Sequence, residues 1–149
     1  MPVKKVCVIT GGTSGIGLCT AQAMLEKGYT VYELSRRAEG APGMKHIMAD
    51  VTKEETLAAA VQEILKQEDH IDVLINNAVG ALKIPRGEFI DMPVEYWNNQ
   101  IDLNLNAAAY TSRIAVRNMI DNKVRGKIIN VSSIHSIVTW VKRKMLPYS

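Results

Sequence analysis

Four glycines, Gly11, Gly12, Gly15 and Gly17, follow directly on an apolar, β-branched run from Val3 to Thr10 and lead into a stretch with helical spacing from Ile16 to Lys27. This order of strand, glycine turn and helix constrains the chain more than any other feature it has. Backbone N–H groups at the start of such a helix, together with the helix dipole, form a receptor for a phosphate. Glycine lets a ligand or a neighbouring backbone approach closely there. Glycines in a turn carry little weight alone, so the rest of the chain decides what they mean.

The alternation continues. Gly28 stops the helix, Tyr29 to Leu34 reads as a second strand, and the Arg-rich segment from Arg36 to Gly43 reads as a loop. His46 to Ala49 is a short third strand. Thr52 with Glu55 three residues on forms a capping box for a helix whose apolar face is Leu57, Val61, Ile64 and Leu65. Ile71 to Ile75 is a fourth strand. A loop through Gly80, Pro85 and Gly87 leads to a long helical stretch from Val94 to Asn122, and Gly126 introduces a fifth strand from Lys127 to Ser132. Apolar strands alternating with helices predict an α/β fold, a Rossmann-type doubly wound parallel sheet with helices on both faces. Short right-handed crossovers put the first strand between the second and the fourth. A ligand then sits at the carboxyl ends of the strands, where the strand order reverses.

A length of 149 residues with 47% hydrophobic content suits one domain, spanning residues 1–149. The net charge of +3 and the pI near 8.9 come from scattered Lys and Arg rather than a basic stripe, so no nucleic-acid partner is expected. The apolar run Val6 to Ile9 is too short for a signal peptide or a membrane span, which predicts a cytoplasmic protein without a membrane partner. Cys7 and Cys19 lack CxxC or metal spacing and are expected to be buried, reduced thiols. No metal cluster is expected. Trp97 and Trp140 read as packing residues, with Trp140 placed to border a pocket.

In a Rossmann unit the end of the second strand meets the adenosine ribose. Here that position is Ser35, followed by Arg36 and Arg37. A guanidinium pairs bidentately with a 2′-phosphate, which favours NADP(H), with NAD(H) as second choice. Two solvated loop arginines are the plainer alternative. A slightly shifted strand end would instead bring the Glu33 carboxylate to the ribose.

The segment Thr10-Gly-Gly-Thr-Ser-Gly-Ile-Gly17 resembles the TGxxxGIG motif of the short-chain dehydrogenases/reductases, and later segments match that family in the same order along essentially the whole chain. The resemblance implies cofactor contacts from Gly11, Thr13, Ser14, Gly15, Ile16 and Gly17. It makes Asp50 a contact to the adenine, with Val51 beside it, although an Asp ahead of a helix start explains that residue equally well. Asn76-Asn77-Ala78 is similar to the family's NNAG with Val79 inserted before Gly80, so Asn77 and Ala78 should line the cofactor channel. Asn104 is similar to the family's helix asparagine in a proton relay. Asn106, two residues on, faces elsewhere.

Ser133 corresponds to the family's catalytic serine, with Ser132 the structural member of the pair. Tyr148 resembles the tyrosine of the YxxxK motif, 15 residues beyond Ser133 and two more than the commoner spacing. The resemblance implies hydride transfer between a nicotinamide and a carbonyl or alcohol carbon, with Tyr148 exchanging the proton and Ser133 steadying the oxygen. The family's lysine falls four residues beyond the tyrosine, past Ser149, and Lys142 and Lys144 do not match it. The expectation is therefore a chain that lacks the C-terminal part of the family fold, binding dinucleotide weakly with little turnover on its own. The substrate class is a small-molecule carbonyl or alcohol, and the long helix after Val94 is a candidate surface for a homo-oligomer.

One rival reading is a non-catalytic dinucleotide-binding or interaction fragment, which the missing lysine supports and the presence of Asn104, Ser133 and Tyr148 opposes. A serine hydrolase using Ser133 with His135 is disfavoured, because no GxSxG elbow is present.

Overall fold

The computed structural model of the chain describes residues 4–79 and 89–137. Strand β1 (Val6–Thr10) is buried along its whole length and leads through the glycine turn into helix α1 (Gly15–Glu26). Then follow β2 (Thr30–Ser35), β3 (Lys45–Met48), α2 (Glu54–Leu65), β4 (Val73–Asn76), α3 (Val94–Ile101), α4 (Ala107–Asp121) and β5 (Lys127–Asn130). The five strands form one parallel sheet in the order β3-β2-β1-β4-β5, so β1 lies between β2 and β4 as the sequence predicts. Strand order reverses between β1 and β4.

Alternation along the strands divides the core into two layers. Val6 and Val8 of β1, Tyr32 and Leu34 of β2 and Leu74 of β4 pack with Leu57, Val61 and Ile64 of α2 and with Ala107, Ala115 and Met119 of α4. Cys7, Ile9, Val31, Val73 and Ile75 face the other way, toward Ala21 of α1. Helices therefore cover both faces. A fully buried Leu or Ile of this kind contributes about 1.5–3 kcal/mol by leaving water, so the face holding Leu57 and Ile64 is the stronger layer. On the opposite face the row Ile9, Ile75, Ile129 runs out to β5, where Ile129 stands half exposed.

Two local expectations are corrected. Thr52 does not cap α2: its hydroxyl donates to Asp50 Oδ1 at 2.7 Å, the helix starts after Lys53, and that end has no side-chain cap. Nearby Asp50 offers a carboxylate within two residues, a better acceptor than the helix end offers a donor. The helical stretch expected from Val94 is borne out and runs to Asp121, with its bonding widened to a π-turn over Asp102–Asn106 between α3 and α4. Finally, only Cys7 is buried, where loss of hydration pushes its thiol up to about 12, whereas Cys19 is exposed. The buried residues of α1 are Gly17 and Ala21, so the contact stripe of that helix is narrow and Cys19 lies off it.

A buried side chain ties β4 to the helical layer. Asn118 of α4 accepts a hydrogen bond from the Ile71 amide at 2.9 Å, just before β4 begins. Asn118→Ala would leave that buried N–H without its acceptor, so unfolding in urea should show a loss of about 1–3 kcal/mol, more than an exposed Asn such as Asn122 should cost.

Candidate functional site

β1 and β4 stay paired as far as Ile9 and Ile75, after which their chains diverge. The opening is held by Thr10, whose hydroxyl accepts from the amides of Asn77 at 3.0 Å and Ala78 at 2.9 Å. In return Asn77 Nδ2 donates to the carbonyls of Thr10 at 3.1 Å and Gly11 at 3.0 Å. This clasp satisfies both backbones while keeping the strands' ends apart. Gly17 sits against it: a Cβ there would lie 2.2 Å from the Gly11 carbonyl oxygen and 2.4 Å from Asn77 Nδ2. Gly11 and Gly15 adopt the left-handed conformation, with φ of 67° and 55°.

The divergence opens a cleft of about 960 Å³ at the carboxyl ends of the strands. Such a volume falls at the upper end of the range for cofactor and ligand sites. Its floor and walls bring together Gly11, Thr13, Ser14, Ile16 and Gly17 of the turn with Ser35, Arg36 and Arg37 after β2. Val51, Asn77, Ala78 and Ser133 complete the set, together with Ala49, Val79 and Ser132. Both arginines are exposed and flank one end of the cleft, while Ser132 and Ser133 form the other. Gly15 is exposed with open space around its α-carbon.

Asp50 is positioned differently from its neighbours. Ala49 and Val51 form the wall, and the Asp50 carboxylate turns to the Thr52 amide at 3.0 Å and the Thr52 hydroxyl. Partial burial alone would raise its pKa. The Thr52 hydrogen bonds and the charges of Arg36 and Lys53 outweigh that and hold the carboxyl below its ordinary range.

A smaller cavity of about 300 Å³ adjoins the cleft and is shared by Asn104, Ser132 and Ser133. Asn104 lies in the π-turn, and its Nδ2 donates to Gln100 Oε1 at 3.1 Å, whereas Asn106 donates to Asp102. The two asparagines serve different faces, as their spacing predicts. π-Turns recur at functional sites because the extra residue redirects a side chain. Tyr148, Lys142, Lys144 and Trp140 lie outside the described residues, as does the side chain of His135.

Two features escape a reading of the sequence. Asn76 Nδ2 donates to Asn130 Oδ1 at 2.8 Å and Ser112 Oγ at 2.9 Å, and Thr111 donates to Asn76 Oδ1 at 2.9 Å. This network, buried at Asn76 and Thr111, fixes the ends of β4 and β5 just before Ser132 and Ser133. Its only trace in the sequence is polar residues at positions where α4 faces the sheet. Glu33, the possible ribose ligand, is fully buried and accepts from the Gly12 amide at 3.1 Å, so it supports the turn from below.

The parallel sheet, the glycine turn and the cleft at the strand reversal define a Rossmann-type α/β domain. The model of the short chain dehydrogenase family matches residues 5–149, and the chain belongs to that family. It is 34% identical over 146 residues to an NAD-dependent glycerol dehydrogenase of Listeria innocua, covering 93% of this chain and 56% of that relative. The ligand-free aldohexose dehydrogenase of Thermoplasma acidophilum is similar in structure, with a TM-score of 0.86 at 31% identity over 97% of this chain and 55% of that one. ElxO with NADP bound gives a TM-score of 0.84 at 27% identity, with 97% and 61% covered. The chain thus spans little more than half the length of these proteins. Among the described residues no group of His, Cys, Asp and Glu could hold a metal ion, and no helix is long and apolar enough to cross a membrane.

The close approach at Gly17 gives a direct test. Gly17→Ala forces a methyl into backbone, not into a side chain that can swing away, so it should cost about 1–3 kcal/mol or more in thermal or urea unfolding. Gly28→Ala, with open space around it but a φ of 82°, should be milder.

Proposed function

We propose that residues 1–149 form the dinucleotide-binding domain of a cytoplasmic oxidoreductase that interconverts a carbonyl and an alcohol on a small molecule, using NADP(H) in preference to NAD(H). The observation that carries this reading is the composition of the cleft, with two exposed arginines at one end and, at the other, Ser133, which it shares with the smaller cavity that Asn104 lines. NADP is bound in the similar ElxO structure, while the Listeria relative is NAD-dependent. Similarity alone therefore does not choose between the cofactors, and the two arginines are what supports NADP(H).

Arg36, with Arg37 beside it, meets the 2′-phosphate of the adenosine ribose, and Ser35 borders the same group. The turn from Gly11 to Gly17 and the start of α1 receive the pyrophosphate. Val51 and Asp50 border the adenine, and Asn77 and Ala78 border the nicotinamide half. The bound nicotinamide supplies or accepts the hydride. Ser133 donates a hydrogen bond to the substrate oxygen, Tyr148 exchanges the proton with it, and Asn104 holds the relay that returns that proton to solvent.

Titration with both cofactors tests the preference: in Arg36→Ala/Arg37→Ala, NADPH binding should weaken about tenfold or more while NADH binding changes about twofold at most. Tighter NADH binding by the unaltered chain would remove the preference. For catalysis, Tyr148→Phe and Ser133→Ala in the whole protein should each lower ketone or aldehyde reduction by about 100-fold or more. Cofactor affinity should be retained in both, and full activity in Tyr148→Phe would overturn the assignment.

A further inference from the structure

The glycine turn and the arginine loop reach the cleft from different parts of the chain, and one pair of side chains joins them underneath. Glu33 of β2 and His46 of β3 are register partners with Ile9 and Ile75 in one row of the sheet, on the face covered by α1. Glu33 Oε1 accepts from the Gly12 amide, and Glu33 Oε2 lies 2.5 Å from His46 Nδ1. The other ring nitrogen, Nε2, lies 2.9 Å from the Arg37 carbonyl oxygen. Ser35 Oγ donates to Glu33 Oε2 and accepts from the Arg37 amide, both at 3.4 Å. Gly40 closes over the ring, because a Cβ there would lie 2.4 Å from His46 Cβ.

A buried carboxylate is tolerated only when it is paired and hydrogen-bonded, and here every partner belongs to one of the two binding loops or to His46. Nδ1 faces the Glu33 carboxyl, and Nε2, facing a carbonyl that can only accept, is the donor to Arg37. We propose that His46, through Glu33, is a positioning residue for cofactor selection: it anchors the backbone of the Arg36–Arg37 loop relative to the glycine turn, so that the guanidinium groups meet a ribose 2′-phosphate. The inference rests on the reading of the cleft as an NADP(H) site. It also accounts for why a carboxylate so near the end of β2 does not repel that phosphate, since it is buried beneath the turn and hydrogen-bonded there.

The two ends of the imidazole can be separated by substitution, because an Asn amide reaches as far as Nδ1 and a Gln amide as far as Nε2. In the full chain, His46→Asn keeps a donor for Glu33 and loses the one for Arg37. Binding of NADPH and of adenosine 2′,5′-bisphosphate should then weaken about five- to tenfold, with NADH changed about twofold at most. His46→Gln keeps the Arg37 bond and loosens the turn, so it should weaken NADPH and NADH by similar factors. Gly40→Ala, an exposed position that leaves the pair intact, should reproduce the selective loss by pushing the loop off the ring. An unchanged ratio of NADPH to NADH affinity in both His46→Asn and Gly40→Ala would overturn the inference while leaving the cofactor site standing. An unaltered chain that binds neither dinucleotide, or prefers NADH, would instead remove the reading of the cleft on which it rests.

Discussion

The clasp between Thr10 and the Asn77–Ala78 backbone is the interaction on which the rest of the site depends. Parallel strands that stay paired leave no space between them, and strands that separate expose amides and carbonyls that must find partners. Here one hydroxyl accepts two amides and one carboxamide donates to two carbonyls, so β1 and β4 part without losing their hydrogen bonds. The cleft follows from that separation. Thr10 is buried, which removes competition from water and makes the exchange of partners decisive.

The two faces of the sheet contribute unequally. The face under α2 and α4 is filled with Leu, Ile and Val and carries most of the apolar burial. The face under α1 depends on close approach, because Gly17 and Ala21 are the residues the helix buries. Small residues bring the helix axis near the sheet, and this sets the start of α1 against the Gly11 carbonyl. Stability comes mainly from one layer and the geometry of the turn from the other.

The strands and their order were legible because each strand is short, apolar and bounded by glycine or polar residues, and a parallel arrangement of five such strands admits few topologies. The glycine turn was legible for the same reason, being a backbone requirement written directly as residue type. What could not be read were choices between competing polar partners. Thr52 had two acceptable roles, and the Asp50 carboxylate won it. Glu33 was weighed only as a ribose ligand, and its burial beneath the turn depends on the register that pairs it with His46. The π-turn after Ile101 was hidden because Asp102, Asn104 and Asn106 fit a regular helix by propensity. Their side chains instead bond four residues back, Asn104 to Gln100 and Asn106 to Asp102, within the wider turn.

Electrostatics impose one more condition on the turn. The Gly11 amide donates to the Leu34 carbonyl at 2.9 Å and the Gly12 amide to Glu33, so both point into the protein. An anion at this turn would therefore be met by amides from Thr13 onward, at the first turn of α1, where the helix dipole adds to their attraction. Glu33 would lie behind that anion, within a distance at which like charges repel strongly unless one is compensated. Its three partners, the Gly12 amide, the Ser35 hydroxyl and the His46 ring, supply that compensation. The same carboxylate that would oppose phosphate binding if left alone thus becomes the group that fixes the inner half of the turn, leaving the outer half to face the ligand.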